Sequence, residues 1–125
     1  MADRVLLPQN YLLKGGMRTY RIEQFISAGS NAVVYQASYQ DTLMPEHSHT
    51  VLIKELYPLD SSGLIVRDDS MNLVVPKASE ALFLYHKQSF LLGNQAHLAL
   101  SEDGGGRIAE NLDSFEANHT LYTVL

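Results

Sequence analysis

Cysteine is absent from the 125 residues, which excludes disulfides and thiolate metal sites outright. Positive charge is scarce as well: nine Lys and Arg stand against fourteen Asp and Glu, a formal net charge of −5. Nucleic acids and anionic membrane surfaces both require a cationic face, so neither is expected as a partner. No apolar run approaches the ~18 residues that a membrane span needs, and no basic-then-apolar signal opens the chain. A cytoplasmic location is the simplest expectation. Acidic residues are missing from one particular place, the whole stretch Ala81–Ser101. What remains is ordinary for a folded protein, 46% hydrophobic and 18% charged, and the length suits one domain with one core.

Turn signals at Pro8 and Gly15-Gly16 mark residues 1–18 as a leader, with the domain proper expected over 19–125. "YRIEQFI" (20–26) and "AVVYQASY" (32–39) have strand character, and the turn residues "SAGSN" (27–31) between them predict an antiparallel hairpin. "TVLIKELY" (50–57) reads as a third strand after a polar loop. Pro58 and Ser61-Ser62-Gly63 break the pattern. "LIVRDDSMNLVVP" (64–76) then reads as a small hairpin around Asp68-Asp69-Ser70. Ser79 followed by Glu80 suits a helix start, and the helix is expected to run to about Leu100. Phe83, Leu84, Phe90, Leu91 and Leu98 fall on one stripe, and Gly93 inside it costs about 1 kcal/mol relative to Ala. "SEDGGG" (101–106) is a loop. "IAENLDSFEA" (108–117) and "TLYTVL" (120–125) read as strands around a tight turn at Asn118-His119, where Asn tolerates positive φ. There is no internal repeat. The chain stops inside an apolar strand, so the fold is expected to continue elsewhere. The predicted class is α+β, a twisted five-stranded antiparallel sheet with one long helix and a small extra hairpin before it.

A lysine in the middle of a strand raises a question of its own. An ammonium costs several kcal/mol to desolvate without a partner, so Lys54 must face either water or something negative. Alternation places Leu52, Lys54 and Leu56 on one face of the strand and Val51, Ile53 and Glu55 on the other. Glu55 is therefore not the partner. Among other candidates, His47 and His49 with Glu46 offer metal donors in a loop, but loop histidines are ordinarily solvated, and no metal site is expected. His86 and His97 read as surface or groove residues on the helix. Tyr11, Tyr20, Tyr35, Tyr39, Tyr57, Tyr85 and Tyr122 read as strand and core residues.

The order of elements and four motifs together resemble the N-terminal lobe of protein kinases, in the form found in bacterial serine/threonine kinases. "FISAGSNAVVYQA" resembles the glycine-rich loop, and "VLIK" within "VLIKELYP" resembles the third-strand lysine motif. "LIVRDDSMNLVVPKASEA" is similar to the hairpin insertion that precedes the family's helix, and "FEANHTLYTVL" to the strand pair that leads into its hinge. The resemblance spans about residues 5–125 and implies a lobe truncated at the hinge.

It also implies ATP and Mg²⁺ as cofactors, with a nucleotide surface made of Ile26, Ser27, Gly29, Ser30, Ala32, Val34, Leu52 and Lys54. Lys54 would be the phosphate-contacting residue. Several positions depart from the family pattern. Only the second loop glycine is kept, as Gly29, while Ser27 and Ala32 stand at the first and third and Asn31 replaces the aromatic at the tip. Leu52 stands where the family has a small alanine under the adenine. The family pairs its lysine with a helix glutamate, and the pair is needed for activity; here Gly93 occupies that position. Gly104-Gly105-Gly106-Arg107 replaces the usual turn after the helix. These departures lead to the expectation of a pseudokinase, serving nucleotide binding or regulatory protein interaction. Two alternatives stand beside it: the ATP-binding half of an active kinase whose catalytic lobe is absent from this chain, and a free-standing interaction module. The chain contains no H-R-D and no D-F-G, so it is not expected to transfer phosphate alone. Its expected partners are the missing C-terminal lobe or a regulatory protein, and self-association through the exposed lobe face.

Overall fold

The computed structural model describes residues 4–16, 18–59, 65–102 and 113–125, with 94–102 described by their backbone alone. The expected Ser61-Ser62-Gly63 break, the triple glycine, Arg107 and the start of the "IAENLDSFEA" strand lie outside the described residues, as do the side chains of His97 and Leu98.

The described residues form eight strands and one long helix: β1 (Leu12–Lys14), β2 (Thr19–Ala28), β3 (Ala32–Gln40), β4 (Ser48–Leu56), β5 (Val66–Arg67), β6 (Leu73–Val74), α1 (Glu80–Glu102), β7 (Asp113–Ala117) and β8 (Thr120–Val124). The main sheet is antiparallel in the order β1-β2-β3-β4-β8-β7, and β5-β6 is a separate hairpin. The α+β class is as expected, but the sheet has six strands rather than five. The sixth is β1, contributed by the segment expected to be a leader. Leu13 points into the core and Leu12–Lys14 pairs with Thr19–Arg21, so this short stretch is held as an edge strand. The sheet curls until its edge strands approach each other. Gly15 lies so close against the Phe115 ring that a Cβ there would overlap it, and the Tyr20 hydroxyl donates to Asp113 Oδ2 at 2.9 Å.

The concave face carries the main core. Tyr20, Ile22, Val33, Tyr35, Val51, Ile53, Tyr122 and Val124 project into it with almost no exposure. Leu7 from the N-terminal segment, Ile65 and Leu73 from the small hairpin, and Tyr57 close it from the other side. Each fully buried aliphatic or aromatic side chain there contributes about 1.5–3 kcal/mol. Among the described residues, the opposite face is covered at one end, where Phe90 of α1 packs on Ala32 and Leu56, with Phe83 and Leu121 half-buried beside them.

The helix stripe needs correction. Phe90 is buried and Phe83 half-buried, but Leu84 and Leu91 face outward. Neighbouring apolar residues span more than the narrow arc that one contact can cover. The helix is entered through a 3₁₀ turn over Lys77–Ser79, with Ser79 buried at the junction. None of the described helices is long and apolar enough to cross a membrane.

Candidate functional site

Strand pairing assembles the expected nucleotide residues into lateral rows. Ser27 pairs with Val34, Val34 with Lys54, and Lys54 with Thr123, one row across β2, β3, β4 and β8. Gln36 and Leu52 form the next row, and Ala32 and Leu56 the row on the other side. Because the pleat repeats every two residues, Ala32, Val34, Leu52 and Lys54 share one face. Leu52 is 41% exposed, Val34 and Lys54 are half-buried, and Ala32 is buried under the helix. Ile26 sits in a β-bulge between Phe25 and Ser27 and is exposed. It is therefore set apart from the Val34–Lys54 row.

The β2–β3 turn is short. The Gly29 N–H donates to Ala32 O at 2.9 Å, leaving Ser30 and Asn31 at the tip. Three successive carbonyls of this turn are held by the body of the protein: Gly29 O accepts from Arg4, Ser30 O from the Leu59 N–H, and Asn31 O from the Tyr57 N–H. Nothing lies within 4 Å of a Cβ built at Gly29, so the space above it is open.

The helix side chain that meets the lysine is Phe90: the Lys54 ammonium lies 5.7 Å from the centre of its ring. Gly93 is one turn further along α1 on the same side and is exposed. Among the described residues no carboxylate pairs with Lys54. Val34 and Leu52 set apolar side chains beside the Lys54 ammonium on this face. Mg²⁺ is a different matter, since no cluster of three acidic or imidazole side chains able to hold a metal exists among the described residues. His47 lies 3.9 Å from Glu46, while His49 turns to Asp41 at 3.0 Å and stacks on Tyr39, so the expected H-x-H donors diverge. Two grooves, of about 440 and 590 Å³, lie between α1 and the small hairpin and at the far end of β2–β4. Lys54 lines neither and stands on an open wall.

The residue next to it tells the opposite story. Glu55 is fully buried and accepts from Arg67 Nη2 at 2.6 Å, Tyr35 Oη at 2.9 Å and Tyr122 Oη at 2.5 Å. Arg67 turns its other two nitrogens to carbonyls, Nε to Val5 O and Nη1 to Met71 O, and its guanidinium stacks on Tyr57. Asn118 donates to Tyr122 Oη and accepts from Tyr11 Oη. Burial, and then the Glu55 charge, push the Tyr35 and Tyr122 phenols well above their ordinary range. Burial lowers the Arg67 pKa, but Glu55 and the two tyrosines outweigh it and raise it. Sequence reasoning did not find Arg67 or its tyrosines. The available signal was an acid on a face otherwise made of Val51 and Ile53, which demands a buried cation somewhere in the fold.

No family model matches the sequence, and no curated protein matches it. A solved structure does: PpkA-294 in its apo form matches with a TM-score of 0.68 over 95% of this chain at 22% identity. The chain spans 37% of the length of that structure. The likeness is one of fold, that of a kinase-like N-lobe.

Proposed function

We propose that this lobe presents the nucleotide-facing surface of a serine/threonine kinase-like protein that is catalytically impaired and serves nucleotide binding or regulatory contact. The observation that carries this reading is the place of Lys54. It stands on the open face of the sheet, beside Val34 and Leu52, and its helix neighbour is the ring of Phe90. Val34 and Leu52 would flank the base and the Lys54 ammonium would meet a phosphate. A cation–π contact of this kind is worth about 0.5–1 kcal/mol at an exposed site and aims the ammonium less tightly than a carboxylate. Phosphoryl transfer depends almost wholly on positioning and charge stabilisation, so a loosely aimed lysine weakens catalysis more than binding. Mg²⁺, when bound with the nucleotide, would neutralise phosphate charge. The open apolar face around Leu52 is the surface that a catalytic lobe, a regulatory protein or a second copy would cover.

A second reading, the ATP-binding half of an active kinase, is favoured by the open space at Gly29 and the small side chains of Ser27 and Ala32. The experiment titrates Mg-ATP into the complete protein while following thermal unfolding and phosphate transfer to a general protein substrate. At 100 times its Kd a ligand adds about 2.7 kcal/mol of stability. We expect a shift that Lys54→Met abolishes, together with background transfer. No shift would overturn nucleotide binding, and robust Lys54-dependent transfer would replace the first reading by the second.

A further inference from the structure

We propose that residues 4–7 form a strap that sets the position of the Gly29–Asn31 turn, with Arg4 as its positioning residue. One guanidinium nitrogen of Arg4, Nη1, donates both to Gly29 O at 2.7 Å and to Tyr57 O at 3.0 Å. It thus joins the tip of the β2–β3 hairpin to the segment that follows β4. Tyr57 and Leu59 of that segment donate their N–H groups to Asn31 O and Ser30 O at 3.0 and 2.9 Å. Without Arg4 the turn is tied at its two tip residues but not at the glycine, the most permissive of the three.

The strap is itself firmly seated. The Val5 N–H donates to Tyr57 Oη at 3.2 Å, Val5 O accepts from Arg67 Nε at 2.7 Å, and the Leu7 N–H donates to Tyr35 Oη at 3.1 Å. The Leu7 side chain is buried in the core. Arg67 and Tyr35 are also two of the donors to Glu55, the residue beside Lys54. The turn and the lysine strand, which together form the candidate nucleotide surface, are therefore braced against the same short segment. Its arginine hydrogen bonds are charge-assisted and directional, so their loss frees the turn rather than the core.

The effect on affinity rests on the nucleotide reading, whereas the effect on the turn does not. The test uses Arg4→Ala and Arg4→Lys in the complete protein. Amide exchange is followed at Gly29, Tyr57 and Leu59 without ligand, alongside Mg-ATP affinity and thermal midpoint. In Arg4→Ala the Tyr57 and Leu59 amides should exchange about tenfold faster while Ile53 in the core is unchanged. The Kd for Mg-ATP should weaken about fivefold, roughly one charged and partly exposed hydrogen bond. Arg4→Lys keeps the positive charge on a side chain one bond shorter and should restore both in part, and the thermal midpoint should hardly move. Unchanged exchange, or a uniform rise that includes Ile53, would overturn the strap. Faster exchange with unaltered Mg-ATP affinity would overturn its link to the site. If the parent protein binds no Mg-ATP, the nucleotide reading fails and the exchange data alone judge the strap.

Discussion

Lys54 and Glu55 are consecutive in β4, carry opposite charges and live in opposite surroundings. Glu55 faces the closed side of the sheet, where three donors meet both of its carboxylate oxygens and each Arg67 nitrogen has an acceptor. Lys54 faces the open side, where its described neighbour is an aromatic ring. A buried ion pair is not in itself a source of stability, because the desolvation cost can exceed the attraction between the charges. Here its role is one of connection. It ties strand β4 to the hairpin through Arg67 and Met71, to the N-terminal segment through Val5, and to β3 and β8 through Tyr35 and Tyr122. One face of β4 thus uses its charge to hold the fold together, while the other leaves its charge available.

The sharpest way to break this comparison is to remove each charge in turn. Glu55→Ala leaves a buried guanidinium without its counter-ion and should cost about 3–5 kcal/mol. Lys54→Met exchanges a half-exposed cation for an apolar side chain of similar length and should stay within about 0.5–1 kcal/mol. Chemical denaturation of both variants decides the matter. Equal losses would mean that the two faces do not differ in the way described.

A pH-dependent effect comes from the tyrosines of the closed side. Burial raises Tyr20 from 10 to about 12, and burial with the Glu55 charge raises Tyr35 and Tyr122 further. Between pH 10 and pH 12 the folded protein therefore keeps phenolic protons that the unfolded chain gives up. Stability is fully present below pH 10 and falls as pH rises through that window. Denaturation midpoints should be alike at pH 9 and 10 and decline at pH 11 and 12, and phenolate absorbance should develop later in the folded protein than in denaturant. A flat profile would show that these hydroxyls are solvated.

The opposite facing of Lys54 and Glu55 was legible in the sequence, because a regular strand has a period of two and β4 pairs with β3 without a bulge. The Asn118-His119 turn was legible for the same local reason, and both residues do adopt positive φ, 50° and 60°. The partner of Glu55 was not. Arg67 lies beyond the sequence signals that end the strand pattern at Pro58, on a two-residue strand, and only tertiary packing brings it to the carboxylate. Strand β1 was missed because its three residues carry no alternation long enough to count. The helix stripe misled because Leu84 and Phe83, or Leu91 and Phe90, look equivalent in periodicity. The sheet reaches only one of each pair. Arg4 carried no local signal at all, since its acceptors are backbone carbonyls, which every residue possesses.

The last predicted effect concerns the clasp of the closed side. Asn118 receives the Tyr11 hydroxyl, donates to Tyr122, and offers its carbonyl to the Leu73 N–H at 2.9 Å. It thereby joins the N-terminal segment, the sheet and the small hairpin. It can do so because Ala117 pairs with Thr120, leaving Asn118-His119 as a two-residue turn with left-handed backbone at both positions. Such a turn suits Asn followed by Gly, and a side chain at the second position costs about 1–2 kcal/mol of backbone strain. His119 accepts that cost, and its exposed ring makes no hydrogen bond among the described residues. Replacing it by glycine relieves the strain but lengthens the conformational reach of the unfolded chain, which returns part of the gain. His119→Gly should therefore raise stability by about 1 kcal/mol, read as a higher denaturant midpoint with an unchanged slope. An unchanged or lower midpoint would mean that the imidazole holds the turn through contacts worth as much as the strain, and that the clasp is stronger than its backbone geometry implies.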